Sequence, residues 1–173
     1  MDAVVESAEN QTTAVSSEEN LGGKYLTFLL DGEEYGLEIL KVREIIGIMD
    51  ITRVPRMSDF VKGVINLRGK VILVVDLRLK FSLQPTEYNE ETCIIVVDIG
   101  MLVGMIVDTV QEVHDIPTAN IEQPPQMGAA VDSSFILGMG KVGEQVKILL
   151  NIEKVLSPDE ILSLQETTDS QPT

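Results

Sequence analysis

The sequence predicts a mainly β chain of two tandem, related five-stranded β-barrels, followed by a C-terminal helix. Three observations carry this expectation. One block of sequence occurs twice, the apolar residues fall in short runs bounded by Gly, Pro and Asp, and the helix-start signal that stands out lies near the end.

The duplication comes first. Gly63, Val71-Ile72-Leu73-Val74-Val75-Asp76-Leu77, Leu79 and Phe81 recur 75 positions later without a gap. Their counterparts are Gly138, Val146-Lys147-Ile148-Leu149-Leu150-Asn151-Ile152, Lys154 and Leu156. Earlier in each half, Gly36-Leu37 and Val42-Arg43-Glu44-Ile45 match Gly104-Met105 and Val110-Gln111-Glu112-Val113 at an offset of 68. Two matching blocks in one order imply two copies of a unit of roughly 60 residues. A flat sheet of five short strands has open edges and a one-sided core, and closing it into a barrel removes both.

Met1–Gly23 is rich in Ser, Thr, Asn and Glu and is expected to be a disordered acidic tail. Lys24–Leu30 reads as a strand, Asp31-Gly32 as a hairpin turn and Glu33–Leu37 as the returning strand. Val54–Phe60, with Pro55, reads as a loop containing a helical turn. Gly63–Lys70 and Val71–Leu77 follow, the second apolar on both faces as a buried strand should be. Gln84–Glu91, polar and containing Pro85, is the expected linker between barrels spanning about 24–83 and 92–156. Cys93–Val97, Val103–Val107 and Lys147–Leu150 are strands, and Gln123–Asp132 is a long loop. Ser157-Pro158-Asp159-Glu160 starts a helix over 158–167: Ser caps, Pro fits the first turn, and the acids favour its N-terminus. Residues 168–173 are expected to be disordered.

Net charge is −15, which argues against nucleic acid or anionic lipid as a partner. Lys24–Phe81 carries ten basic and eight acidic residues, Ser82–Leu156 three and eleven. The difference is either drift on solvated surfaces or a sign that each half faces its own partner. A single Cys excludes an internal disulfide and a CxxC metal site and fits a reducing compartment. There is no signal-peptide pattern and no apolar run of bilayer length, so the expectation is a cytoplasmic protein without direct membrane insertion.

No cofactor and no catalytic site are expected. His114 is the sole histidine, beside Asp115 in a turn after a strand, and reads as an ordinary surface residue. Cys93 opens a strand and reads as a small core residue. Gly138-Met139-Gly140-Lys141-Val142-Gly143 fits G-x-G-x-x-G, but a dinucleotide site needs a helix next. Here the repeat requires a strand, so the glycines are read as turns and bulges.

The first half carries Glu34-Tyr35-Gly36-Leu37, Val42-Arg43-Glu44-Ile45-Ile46, Ile51-Thr52, Val54-Pro55, and Gly63-Val64-Ile65-Asn66-Leu67-Arg68-Gly69 with Val74-Val75-Asp76-Leu77. The second half adds Val103-Gly104, Val107-Asp108, Val110, Val113, Gly138 and Ile148-Leu149-Leu150-Asn151. In that order and spacing the chain resembles the CheW-like domain family over roughly Lys24–Leu164. The resemblance implies a single domain over 24–157 with two SH3-like five-stranded barrels. It also implies a non-enzymatic adaptor in bacterial chemotaxis, joining the histidine kinase CheA, through its regulatory domain, to the cytoplasmic tip of a methyl-accepting chemoreceptor. Such an adaptor would sit at membrane-associated arrays through its partners. A scaffold for a related array with another output, such as pilus motility, stays open. The loop Gln123–Gln126 is more proline-rich than the family pattern.

Arg68 and Glu44 each sit in apolar sequence, either as exposed strand residues or as neighbours at a groove between the barrels. In the groove reading they orient a receptor helix, Val42 and Val110 supply an apolar wall, and Cys93, Val103 and Gly104 form the opposite wall. Gly104 would then allow close approach. For the kinase, the expected contacts are Ile46, Ile48, Ile51 and Val54, for which core packing is the default reading, and Met127 in the proline-rich loop.

Overall fold

The computed structural model describes residues 22–123 and 133–157. Met1–Leu21, most of the expected loop with Met127, and the expected helix over 158–167 lie outside the described residues. Strand β1 (Gly23–Leu30) starts one residue before the expected Lys24, and β2 (Glu33–Glu38) returns beside it. Asp31 (φ 52°) and Gly32 (φ 81°) are both left-handed, the turn whose twist suits a two-residue hairpin. Then follow β3 (Val42–Gly47), β4 (Val61–Leu67) and β5 (Lys70–Asp76). After these come β6 (Cys93–Asp98), β7 (Leu102–Val107), β8 (Thr109–Ile116), β9 (Ile121–Glu122), β10 (Ile136–Val142) and β11 (Gln145–Leu150).

Two expectations change locally. Val54–Phe60 contains turns but no helical turn, and Pro55 lacks the N–H that a helix would use. The expected strand Gly63–Lys70 breaks at Arg68 (φ 53°) and Gly69 (φ 87°), a second two-residue turn, fastened by Gly69 N–H donating to Asn66 Oδ1 at 2.7 Å. Arg68 is therefore a turn residue. Val71 is largely exposed, so β5 is buried only from Ile72 onward.

The duplication is visible in three dimensions. Single-turn helices α1 (Leu77–Lys80) and α2 (Ile152–Val155) follow β5 and β11, and the side chains of Asp76 and Asn151, 75 apart, cap them. The β4–β5 and β10–β11 pairs share one register, with irregularities beginning at Val61 and Ile136. The glycine run ends in the β10–β11 hairpin, as the repeat requires.

The fold is mainly β, and the repeat units are not the sheets. One sheet runs β8-β1-β2-β11-β10-β9 and the other β3-β6-β7-β5-β4. Each takes the leading hairpin of one half and the trailing strands of the other. The joins are parallel: β5 beside β7 (Val74 opposite Gly104) and β11 beside β2 (Leu149 opposite Gly36). Chain crossings between the sheets fall at Ile39–Lys41 and at Asp108, whereas Gln84–Glu91 joins α1 to β6, which pairs within the same sheet as β5. The exchange interlocks the halves, since neither sheet can form without both.

Three apolar clusters result. The largest lies where the sheets meet and holds Leu26, Phe28, Leu30, Tyr35 and Leu37 from one with Val75, Val97, Val103, Met105 and Val107 from the other. Phe28, Tyr35, Phe81 and Phe135 line up through it at centroid spacings of 5.9, 5.9 and 6.2 Å. Inside the five-stranded barrel sit Ile65, Ile72, Val74, Ile94, Val96 and Ile106; among the described residues, the other barrel's own cluster holds Tyr25, Ile116 and Leu149 as its fully buried members. Arg78, mostly buried on α1, fastens the two sheets: its Nε and Nη2 donate to both carboxylate oxygens of Asp108 at 2.7 Å, and Nη1 to the Gln84 carbonyl. Asp108 in turn accepts Asp31 N–H from the β1–β2 turn at 2.9 Å.

Candidate partner-binding surfaces

In the five-stranded sheet β3 and β4 are the edges, and the barrel closes between them. Thr52 and Val64 exchange backbone hydrogen bonds of 2.8 and 2.9 Å across the gap. Gly63 permits this, because a Cβ there would lie 2.0 Å from the Thr52 carbonyl oxygen, and its φ is 144°. At the other end of the same gap, Arg68 Nη1 and Nη2 each donate to one oxygen of Glu44 at 2.6 Å. The fork-to-fork geometry fixes both side chains. The guanidinium holds the Glu44 carboxyl below its usual range, and Glu44 raises Arg68.

The pair belongs to a shallow groove with Arg43, Leu67, Lys70, Ile72, Val96, Asp98 and Leu102. Arg43 donates to Asp98 at 2.5 Å, and that bond, with the Gly100 N–H, keeps the Asp98 carboxyl low. Two ion pairs thus flank half-buried Leu67 and Leu102. Sequence reasoning brought Glu44 to Arg68 but missed Arg43 and Asp98; Arg43 stood in a quoted motif, and only the β3–β6 pairing puts it near Asp98.

The other expected groove residues do not gather there. Glu44 and Arg68 lie on the gap side of one barrel, not in a cleft between the two. Val42 and Val110 are half-buried on β3 and β8 and pack against the central core. Val103 is fully buried in that core and has no surface to offer a partner. Gly104 is buried as well: a Cβ would meet Ile94 Cγ2 at 2.8 Å, so the close approach it allows is internal packing. Cys93 is half-buried, against the same core, with Sγ donating to the Glu91 carbonyl. Cys93, Val103 and Gly104 lie on β6 and β7, strands buried on both faces, which a period-two reading cannot sort into core and wall.

Among the expected kinase contacts, Ile46 and Ile51 pack against the five-stranded barrel's interior, and Ile48 is partly exposed. Val54 and Ile51 line a second groove with Arg53, Arg56, Lys62 and Tyr88. Met127 lies outside the described residues.

His114 lies within β8 rather than in a turn, 3.7 Å from Glu112 on the same strand. Among the described residues there is no metal-ligating cluster, and no helix is long and apolar enough to cross a membrane.

Comparison with known proteins agrees with this architecture. The CheW-like domain family profile matches residues 24–160. The chain is 39% identical over 153 residues to the chemotaxis protein CheW of Klebsiella aerogenes, covering 88% of this chain and 92% of that one. It is 34% identical to CheW of Bacillus subtilis, over 80% and 87% of the two chains. The crystal structure of the scaffolding protein TtCheW from Thermoanaerobacter tengcongensis superposes with a TM-score of 0.73 at 34% identity, over 79% of this chain and 94% of that one. With its two SH3-like barrels and a match over nearly all the described residues, this chain belongs to the CheW-like domain family.

Proposed function

We propose that this protein is a cytoplasmic, non-enzymatic scaffold in bacterial chemotaxis that couples chemoreceptor signalling tips to the histidine kinase CheA. The observation that carries this reading is the Glu44–Arg68 pair: an outward-facing bidentate ion pair beside half-buried Leu67 and Leu102. An amphipathic helix laid on such a surface gains affinity from apolar anchors and register from charge. The receptor-facing surface in this reading comprises Glu44 and Arg68 with Leu67 and Leu102, while Val42 packs on the core behind it and Val103 and Gly104 act only by shaping the barrel beneath. Ile48, Ile51 and Val54 belong to the kinase-facing side, on the loop that follows β3. In this reading His114 and the glycine run serve as parts of strands and turns.

The test is co-purification of the chain with CheA and a receptor cytoplasmic fragment. Ternary assembly that Arg68→Ala abolishes, with binary kinase binding retained, is the expected result. Assembly of neither complex would overturn the coupling role.

A further inference from the structure

We propose that the groove between the loop 51–59 and β4 is a docking site for a short acidic segment of a partner protein. The placement of charge carries the inference. The described residues include every Lys and Arg, and at least seven of those thirteen side chains sit within ion-pair distance of a carboxylate, as expected on a chain with 28 acids. Among the described residues Arg53 and Arg56, both exposed, have no such partner, and they line one groove with Lys62. Lys62 Nζ lies 5.9 Å from the centroid of Tyr88, another wall of that groove. Asp59 is the sole acid in the lining. Cations left without a carboxylate partner among the described residues create a local positive field on an otherwise acidic surface, and that field selects an anionic partner.

Two further features point to a ligand. The Ser58 hydroxyl, in the same wall, is buried and has no hydrogen-bond partner, a condition native structures seldom tolerate without an occupant. Arg56 is held at φ 65°, a left-handed conformation that costs a non-glycine residue energy and gathers at binding sites. The groove's volume, about 630 Å³, and its apolar members Ile51, Val54 and Met57 suit a peptide carrying carboxylates next to an aliphatic anchor. The loop is held in place for this by the Thr52–Val64 bridge over Gly63.

The inference rests on the reading that the Ile51–Val54 side faces a protein partner, and it is tested without that partner. A fluorescein-labelled peptide of alternating Glu-Glu-Leu units is titrated into the full chain at low salt, beside a peptide with every Glu replaced by Lys. The acidic probe should bind saturably, weaken as salt rises, and lose at least tenfold in affinity for Arg53→Gln/Arg56→Gln. Arg53→Lys/Arg56→Lys should recover part of that loss, Lys24→Gln, an exposed cation outside both grooves, should bind like the parent chain, and circular dichroism should show all variants folded. Absence of saturable binding, equal binding of the basic probe, or an unaffected double Gln variant would overturn the site. Self-association of the parent chain that the double Gln variant abolishes would assign the groove to a second copy and overturn it too. If the peptide binds but kinase capture fails, only the coupling role falls; if the kinase is captured and the peptide does not bind, only this site falls.

Discussion

Lys147 and Glu34 form a buried ion pair in one barrel at the positions where the other barrel holds Ile72 and Leu102. The repeat offsets of 75 and 68 relate them, and the parallel β11–β2 pairing brings them together as the β5–β7 pairing does Ile72 and Leu102. Lys147 is 3% exposed, and its Nζ donates to Glu34 and to Gln145. Removing one partner leaves a charge without its counter-ion. Lys147→Met should cost about 2–3 kcal/mol, somewhat less than for a wholly enclosed pair because Glu34 retains some exposure. Glu34→Leu with Lys147→Ile, which copies the other barrel, should recover most of it. Urea unfolding of the three variants measures this, and a double variant no better than the single one would show that the pair also sets strand register.

Arg68→Ala should unfold at nearly the same temperature as the parent chain, because the Glu44 pair is solvated and the turn keeps a non-glycine residue. Receptor engagement should nevertheless fall roughly tenfold or more. Glu44→Arg combined with Arg68→Glu should restore part of what Arg68→Glu loses. A double-mutant cycle on assembly reads the coupling directly, and strictly additive losses would mean that the pair is not a unit at the interface.

Gly63→Ala should lower the melting temperature by roughly 6–12 °C, equivalent to about 3 kcal/mol in a chain of this size, since a methyl group cannot share space with the Thr52 carbonyl. Gly47→Ala is the control: nothing lies within 4 Å of its Cβ position, and the change should stay within about 0.5 kcal/mol. Comparable losses at both sites would remove barrel closure as the cause.

Asp108 should contribute to acid stability. Burial pushes its carboxyl up, but Arg78 and the Asp31 N–H more than offset this, and the net shift is downward. The folded state therefore holds the proton less tightly than the unfolded chain, whose aspartate titrates near pH 4. The stabilisation is present above that pH and is lost as pH falls through the lowered folded value. Asp108→Asn should be less stable at pH 7, with the gap to the parent chain closing below about pH 4. A gap that is constant with pH would mean that the Arg78 contact does not depend on charge.

Much of the strand pattern was legible because short apolar runs between Gly, Pro and Asp leave few alternatives. The Asp31-Gly32 turn is the clearest case. Arg68-Gly69 was not recognised as a turn, because Arg rarely takes a left-handed conformation and the apolar residues on either side read as one strand. Arg43 next to Asp98, and Tyr88 beside Arg53, Arg56 and Lys62, join positions far apart in sequence and carry no periodic signal.

The sequence by itself determined that the chain is two copies of one β unit, since matched blocks at fixed offsets require matched folds. It also marked Glu44 and Arg68, because a charge inside an apolar run must find water or a counter-charge. Tertiary structure decided which copy each strand joins. Local patterns specify that Val74 lies in a strand, but not that its neighbour is Gly104 of the other half, because burial is equally satisfied by either copy's hairpin. The chain crossings at Ile39–Lys41 and Asp108 settle that choice, and with it which residues face outward and which, like Val103, are sealed in the core.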